Sequence, residues 1–271
     1  MDKKMRKLSE LSNLKGRTAL VVGGAGHIGQ AFCEALAEQG AEVVVHDIDG
    51  GKAKESAERI SAVFGTRCLA VEGNLLDEND TMRIVPSVIE NFGRLDILVH
   101  AAAFVGTTNF PGWAVPFGEQ SYSAFESALR VNLTSAFLLA KEAKEHLSRD
   151  GKGSVILVSS TYGLVGPDFS IYEGTSMTNP AGYGASKGGI LQLTRYLATL
   201  LAPRVRVNAI TPGGVFRNQP EVFVGRYEKK TPMGRMAAEE DFKGAVAYLA
   251  SDLSAYVTGQ NLIVDGGFTA W

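Results

Sequence analysis

Short β-branched segments alternate with amphipathic helical segments along most of the chain, and this alternation restricts the fold more than any other feature. The apolar runs "TALVV" at 18–22 and "EVVVH" at 42–46 have the length and valine content of buried parallel strands. Between them, "IGQAFCEALAEQG" carries apolar residues at helical spacing and ends at Gly40, a residue that favours helix termination. The order strand, helix, strand predicts a parallel βαβ unit.

The same alternation continues to the C-terminus. Helices are predicted near 51–63, 79–92 and 183–201, and the remaining strand-like segments are "RCLAVEG", "RLDILVHAAA", "GSVILVSS", "VRVNAI" and "NLIVDGG". About seven parallel strands with helices on both faces predict an α/β fold, a single Rossmann-type doubly wound domain. We expect residues 1–16 to be an N-terminal extension and residues 17–271 to form this one domain.

Composition excludes several classes of function. The chain has 271 residues, 45% of them hydrophobic, and a net charge of -2, which gives no electrostatic attraction toward nucleic acid. No apolar run is long enough to span a membrane or to act as a signal peptide, so we expect a cytoplasmic protein without a membrane partner. Cys33 and Cys68 lack metal-ligand spacing, so the expectation is no metal site and two buried thiols.

A glycine-rich turn, "GGAGHIG" at 23–29, follows the first strand directly. Gly24, Gly26 and Gly29 give the pattern G-x-G-x-x-G between a strand and a helix. Glycines in this context let the backbone approach a pyrophosphate closely, and the free N–H groups at the helix N-terminus then bind it. The turn therefore predicts a dinucleotide site.

An acidic residue ends the second strand. Asp47 lies eighteen residues after Gly29, where a carboxylate accepts hydrogen bonds from the adenosine ribose hydroxyls and repels an added 2′-phosphate. No arginine or lysine stands in the glycine turn or beside Asp47. The sequence therefore predicts NAD in preference to NADP.

A tyrosine and a lysine occur four residues apart in "AGYGASKGGI" at 181–190. Helical spacing places Tyr183 and Lys187 on one face, one turn apart. Two interpretations remain open from the pair alone: a packed tyrosine with a snorkelling lysine, or a phenol and an ammonium held together for proton transfer.

With these motifs in place, the chain resembles the compact, single-domain type of the short-chain dehydrogenase/reductase family over nearly its whole length. The matching pieces, in the family's order, are the glycine turn at 23–29, "GRLDILV" at 93–99, "VNL" at 131–133, "VSS" at 158–160, "YGASK" at 183–187, "RVNAITPGG" at 206–214 and "GQNLIVDGG" at 259–267. The resemblance implies a catalytic set of Asn132, Ser160, Tyr183 and Lys187. It also implies a homo-oligomer, either a tetramer or a dimer.

The implied roles agree with elementary acid–base chemistry. The Lys187 ammonium is expected to lower the pKa of Tyr183, so that the phenol exchanges a proton with the substrate oxygen. Ser160 would hydrogen-bond that oxygen, and Lys187 would also hold the nicotinamide ribose. Asn132 would hold a bent helix and a water that links Lys187 to solvent.

The resemblance further implies which residues hold the cofactor, although some positions depart from the family pattern. His27 stands where the family has a glycine, "HAAA" replaces "NNAG" after the fourth strand, and Asn74 replaces an aspartate. These departures leave the register of the phosphate contacts open. The implied cofactor residues are Gly23, Gly26, His27, Ile28, Gly29, Asp47, Ile48, Asn74, Leu75, Ala101, Ala102, Tyr183, Lys187, Pro212, Gly213 and Val215.

Three long segments, 104–123, 164–182 and 213–238, are expected to form the substrate site at the carboxyl edge of the sheet. The second segment is rich in polar side chains, which favours a polar or sugar-like small molecule, and it resembles family members linked to flagellin and surface-polysaccharide modification. An exposed ornament or a subunit contact is the alternative interpretation of this segment. The candidate substrate residues are Ser160, Asp168, Tyr172, Glu173, Tyr183 and Arg217.

These observations predict an NAD(H)-dependent oxidoreductase that interconverts a secondary alcohol and a ketone. One alternative, suggested by the glycine turn, is a sugar-nucleotide epimerase or dehydratase with tightly bound NAD. The other, suggested by the replaced asparagines, is a non-catalytic NAD-binding regulatory protein.

Overall fold

A parallel seven-stranded sheet forms the centre of the computed structural model, which describes residues 5–106 and 108–271. The strand order is β3-β2-β1-β4-β5-β6-β7. The chain runs outward from β1 to β3 and then returns to pair β4 with β1, so a crevice opens at their carboxyl ends. The predicted fold is confirmed. The strands are β1 (Thr18–Val22), β2 (Glu42–Asp47), β3 (Cys68–Glu72), β4 (Ile97–His100), β5 (Gly153–Val158), β6 (Val205–Pro212) and β7 (Asn261–Val264).

Helices cover both faces of this sheet, and each face has its own core. Alternate strand residues point to opposite sides, so Val21 and Val45 pack on one face whereas Leu20 and Val44 pack on the other. This burial on both faces explains the continuous apolar runs of the inner strands. The helices are α1 (Leu8–Leu11), α2 (His27–Glu38), α3 (Gly50–Phe64), α4 (Glu78–Phe92), α5 (Tyr122–Leu129), α6 (Ser135–Ser148), α7 (Ala181–Leu201), α8 (Glu221–Lys230) and α9 (Lys243–Ala250).

The described part of the N-terminal extension is attached to the domain. Its helix α1 ends at Leu11, and Leu14 lies beyond the helix and is fully buried. The Leu14 amide donates to the carbonyl oxygen of Gln39, and the guanidinium groups of Arg6 and Arg17 both contact the carboxylate of Asp252. None of the helices in residues 5–106 and 108–271 combines the length and apolar character needed to cross a membrane.

Two histidines are buried at the carboxyl ends of neighbouring strands. His46 and His100 lie on either side of Val22 in the sheet. The Nε2 atom of His100 lies 2.7 Å from the Ser135 hydroxyl, whereas neither ring nitrogen of His46 has a hydrogen-bond partner among the described residues. Burial lowers the pKa of His46 to about 4 and that of His100 to about 3. Both rings are therefore neutral at neutral pH.

The substitution His46→Leu tests this burial. An unpaired buried ring nitrogen costs free energy, and a ring with a folded-state pKa of about 4 loses stability as the pH falls below about 6.5. At pH 5 that loss amounts to about 2 kcal/mol relative to high pH. We therefore expect the variant to be more stable than the wild type, with a larger gain near pH 5 than near pH 7 in denaturant titrations.

The matched control is His146→Leu, at a partly exposed position on α6, for which no such acid-dependent gain is expected. An equal gain for His46→Leu at both pH values would contradict the argument.

Candidate active site

A cavity with a volume of about 1310 Å³ lies at the carboxyl edge of the sheet. Every residue that the family resemblance implied for the cofactor lines this cavity. Its walls combine the glycine turn, the ends of β2, β4, β5 and β6, and the start of α7 with parts of the three long segments. Loops that follow parallel strands meet at this edge, so residues distant in sequence converge here.

The glycine turn has the close backbone packing that a pyrophosphate site needs. Gly23 has a φ of +77°, and a Cβ atom on Gly29 would overlap the carbonyl oxygen of Gly23. Gly26 precedes α2 and supplies no side-chain cap, so the first N–H groups of that helix are free to bind an anion. Gly24 instead packs toward Val45 and Cys33, so the glycines of this turn that line the cavity are Gly23, Gly26 and Gly29. The turn fits a bound pyrophosphate.

Asp47 and Asn74 line the cavity beside the glycine turn. The Asp47 carboxylate accepts hydrogen bonds from the Ala25 amide at 3.2 Å and the Asp49 amide at 3.3 Å. The Asn74 side-chain oxygen accepts one from the Leu76 amide at 3.0 Å. These contacts fix both side chains, and the Asp47 carboxylate is joined directly to the glycine turn.

Ser160, Tyr183 and Lys187 line the middle of the cavity, whereas Asn132 lies outside its lining. Asn132 is fully buried in a π-helical turn, Arg130–Thr134, between α5 and α6. Its side-chain oxygen accepts from the Phe104 amide at 2.6 Å and its side-chain nitrogen donates to the Ser186 hydroxyl at 2.8 Å. The asparagine therefore joins the bent helix, a long loop and α7 next to Lys187.

Lys187 is buried beneath the tyrosine. Its ammonium nitrogen donates to the carbonyl oxygen of Val158 at 2.8 Å and lies 5.9 Å from the centre of the Tyr183 ring. Only 1% of the residue is exposed, and burial lowers the pKa of the amine to about 7. The charge of Lys187 therefore changes near neutral pH.

The pKa of Tyr183 differs in direction from the sequence-based expectation. Burial raises it above the ordinary value of a phenol, while the Ser160 hydroxyl and the charge of Arg217 act in the opposite direction. Desolvation of the phenolate outweighs these favourable contacts. Tyr183 is consequently a neutral phenol at neutral pH.

The structure separates the candidate substrate residues. Tyr172 and Arg217 line the cavity with Ser160 and Tyr183, but Asp168 and Glu173 do not. The Asp168 carboxylate binds the ammonium of Lys230 on α8 and accepts a hydrogen bond from the Ser170 amide. This pairing holds the Asp168 carboxylate outside the cavity, where it does not contact a bound substrate. Glu173 is exposed.

Sequence reasoning missed an aromatic wall. The Tyr162 hydroxyl lies 2.7 Å from the Tyr172 hydroxyl, and the ring centres of Tyr172 and Phe223 are 5.3 Å apart. Tyr227, one helical turn after Phe223 on α8, accepts a hydrogen bond from the Gly214 amide at 2.6 Å. The i, i+4 spacing of Phe223 and Tyr227 is a sequence signal that places both rings on one helix face. That this face points into the cavity is known only from the tertiary structure.

Comparison with known proteins identifies the family. Residues 23–269 match a family profile described as enoyl-(acyl carrier protein) reductase. Cis-4-hydroxycyclohexanecarboxylate dehydrogenase of Sinomonas cyclohexanicum is 34% identical to this chain, over 94% of this chain and 97% of that protein. The chain belongs to the short-chain dehydrogenase/reductase family. Members of the family are oxidoreductases that bind a nicotinamide dinucleotide.

Solved structures of short-chain dehydrogenases share the fold. A short-chain dehydrogenase from Leptospira borgpetersenii with bound NAD⁺ has a TM-score of 0.82 and 31% identity, covering 99% of this chain and 98% of that one. A gluconate 5-dehydrogenase from Burkholderia cenocepacia in complex with NADP and tartrate has a TM-score of 0.83 and 26% identity, covering 98% and 100%. The two dinucleotides both occur among structures of this shape.

Lys187→Met tests the burial of the amine. The amine has a pKa of about 7 in the folded chain and a higher pKa when unfolded, so wild-type stability rises with pH between these values. The stability of the variant minus that of the wild type should fall by about 3 kcal/mol between pH 6 and pH 9.5. Denaturant titrations across this range measure it. Lys141→Met, at an exposed position on α6, is the matched control, and parallel curves for Lys187→Met and the wild type would refute the burial argument.

Proposed function

We propose that the protein is an NAD(H)-dependent dehydrogenase that interconverts a secondary alcohol and a ketone. The observation that carries the proposal is the convergence of the Ser160 and Tyr183 side chains on one cavity, with the amine of Lys187 buried beneath them. The same cavity continues to the glycine turn and to Asp47, which fit the pyrophosphate and ribose of a dinucleotide. The nicotinamide ring, when bound, accepts a hydride from the alcohol carbon or donates one to the carbonyl carbon.

Tyr183 and Ser160 carry the proton chemistry. As a neutral phenol, Tyr183 is ready to donate its proton to the oxygen of a ketone while Ser160 hydrogen-bonds that oxygen. In alcohol oxidation the phenol must first lose its proton, and each pKa unit of that step costs about 1.4 kcal/mol. Burial raises the pKa of Tyr183, and the charge of Arg217 only partly offsets this rise, so we expect oxidation to have a more alkaline optimum than reduction.

Lys187 and Asn132 position this pair. Lys187 lies one helical turn after Tyr183, where its amine would hold the ribose next to the nicotinamide of a bound dinucleotide. Asn132 fixes the bent helix through Ser186, the residue directly before Lys187. The hydrogen bond from Lys187 to Val158 holds the amine at the end of β5.

Asp47 supports NAD as the preferred dinucleotide. Its carboxylate lies at the end of β2 and is held by the Ala25 and Asp49 amides, so it cannot turn away at low cost from a 2′-phosphate. The basic side chains that line the cavity are His27, His46, Lys187 and Arg217 among the described residues, and none of them is next to Asp47 in sequence except the buried, neutral His46.

The substrate end of the cavity supports a compact molecule with an apolar body. Tyr162, Tyr172, Phe223, Tyr227 and Met236 supply aromatic and aliphatic surface, with a few hydroxyl groups. This surface is less polar than the loop composition predicted and favours a cyclic secondary alcohol over an open polyol. The Sinomonas relative is named for a substituted cyclohexanol, which supports the same substrate class. Cytoplasmic location and homo-oligomerisation stay predictions.

Tyr183→Phe tests the proton-transfer step. The variant lacks the hydroxyl proton, so turnover of cyclic secondary alcohols should fall by about 10²- to 10⁴-fold while NADH affinity stays nearly constant. Absorbance of NADH formed and fluorescence titration measure the two quantities. Tyr196→Phe, on an exposed face of the same helix, is the control. Undiminished turnover in Tyr183→Phe would refute the mechanism, and dinucleotide binding without net NADH formation by the wild type would favour an epimerase, a dehydratase or a regulator.

Asp47→Ala tests the choice of dinucleotide. Loss of the carboxylate removes hydrogen bonds to the ribose and the repulsion of a 2′-phosphate, so NAD should bind about 10- to 100-fold more weakly and NADP little changed or more tightly. The ratio of the two dissociation constants is the readout. Asp49→Ala, which removes an exposed cap of α3, is the matched control. An unchanged ratio in Asp47→Ala would place the ribose contact elsewhere.

A further inference from the structure

Among the described residues, Arg217 is the one arginine that lines the cavity. It lies in the segment after β6, where the chain is fixed on both sides: the Phe216 amide donates to the Ala237 carbonyl oxygen and the Arg217 amide donates to the Gln219 side chain at 2.7 Å. Its side chain lines the cavity and is 35% exposed. These contacts fix the point on the wall from which the Arg217 side chain extends.

Most of the guanidinium is available for a ligand. Its Nε atom lies 3.4 Å from a carboxylate oxygen of Glu239, a long contact for a charge-assisted hydrogen bond. The two terminal nitrogens of Arg217 have no hydrogen-bond partner among the described residues. Those nitrogens form the edge that binds a carboxylate through two parallel hydrogen bonds.

The surrounding charges favour an anion on the substrate over the pyrophosphate of the dinucleotide. Glu239 contacts Arg217 and also lies 3.7 Å from His27 at the start of α2, so a carboxylate separates Arg217 from the glycine turn. Arg217 lines the same cavity as Tyr183, and its charge acts to lower the pKa of that phenol, although burial raises this pKa more. Asp168 is held by Lys230 outside the cavity, so no acid on the loop competes for the guanidinium there.

We propose that Arg217 forms a carboxylate-binding subsite, so that the substrate is a hydroxy acid whose ring or short chain lies against the aromatic wall while its carboxylate binds the guanidinium. This substrate class rests on the proposed dehydrogenase function. The corresponding product is a keto acid, formed with release of one proton and transfer of one hydride to the dinucleotide. On binding, the substrate carboxylate takes up the two free terminal nitrogens and shares Arg217 with Glu239, which keeps its contact with the Nε atom.

The test measures binding, so it does not depend on turnover. Cyclohexanecarboxylate and cyclohexanecarboxamide have the same ring but differ in charge, and their affinities for the NADH-saturated enzyme are measured by calorimetry at low salt. In the wild type the acid should bind more tightly than the amide. Arg217→Gln should lower this ratio by about 10- to 100-fold, and Arg217→Lys, which keeps the charge but loses the two-nitrogen edge, should have an intermediate ratio.

A second variant provides a gain that a merely structural role would not produce. Glu239→Gln removes the competing carboxylate, so the acid should bind a few-fold more tightly, and this gain should vanish when Arg217→Gln is present as well. Arg83→Gln, which removes a positive charge from an exposed site on α4, should leave the acid-to-amide ratio unchanged.

Three outcomes decide the proposal. A lower acid-to-amide ratio in Arg217→Gln with nearly constant NADH affinity supports it. An unchanged ratio overturns it, and an unchanged ratio combined with weaker NADH binding assigns Arg217 to the dinucleotide phosphates. If the ratio falls as expected but no alcohol yields NADH, the subsite stands and the dehydrogenase function fails. If neutral alcohols yield NADH but Arg217→Gln leaves the acid-to-amide ratio unchanged, the dehydrogenase function stands and the subsite fails.

Discussion

The burial of Lys187 is the constraint on which the rest of the site depends. An amine that is 1% exposed is expensive to keep charged, and here one carbonyl oxygen, that of Val158, accepts its hydrogen bond. The neighbouring chain holds it there: the Ser159 hydroxyl donates to the carbonyl oxygen of Lys187, and a Cβ atom on Gly163 would lie 2.7 Å from the Lys187 backbone. These contacts hold the end of β5 against the helix α7. They thereby fix the relative positions of Ser160, which follows β5, and Tyr183, which lies on α7.

The two ends of the cavity are built by different means. The dinucleotide end is made of backbone and glycine at the edge of the sheet, where strand pairing leaves little freedom. The substrate end is made of side chains from two long segments that are tied to each other. Lys230 on α8 binds Asp168, and Arg226 donates to the backbone oxygens of Ser170 and Glu173. Asp168, which the loop composition suggested as a substrate ligand, therefore links the two segments and stabilises the aromatic wall.

Much of the fold followed from local patterns. Predicted strands at 18–22 and 42–46 correspond to β1 and β2 within one residue. Short β-branched apolar runs of this kind are typical of parallel strands that are buried on both faces. The predicted helix near 183–201 begins two residues earlier, after Pro180, which ends the preceding extended segment. The end of α1 was not predictable from a local pattern, because Leu14 is buried in the domain core and its amide donates to Gln39 at the end of α2.

The resemblance to the family supplied Ser160, whereas the sequence by itself determined the sheet, the glycine turn and the positions of Asp47, Tyr183 and Lys187. These depend on periodicity, spacing and backbone freedom, which are properties of neighbouring residues. Only the tertiary structure decided the direction of the Tyr183 pKa, the exclusion of Asp168 from the cavity and the exposure of the Arg217 guanidinium. Desolvation and ion pairing depend on which groups distant in sequence lie within a few ångströms, and no local pattern contains that information.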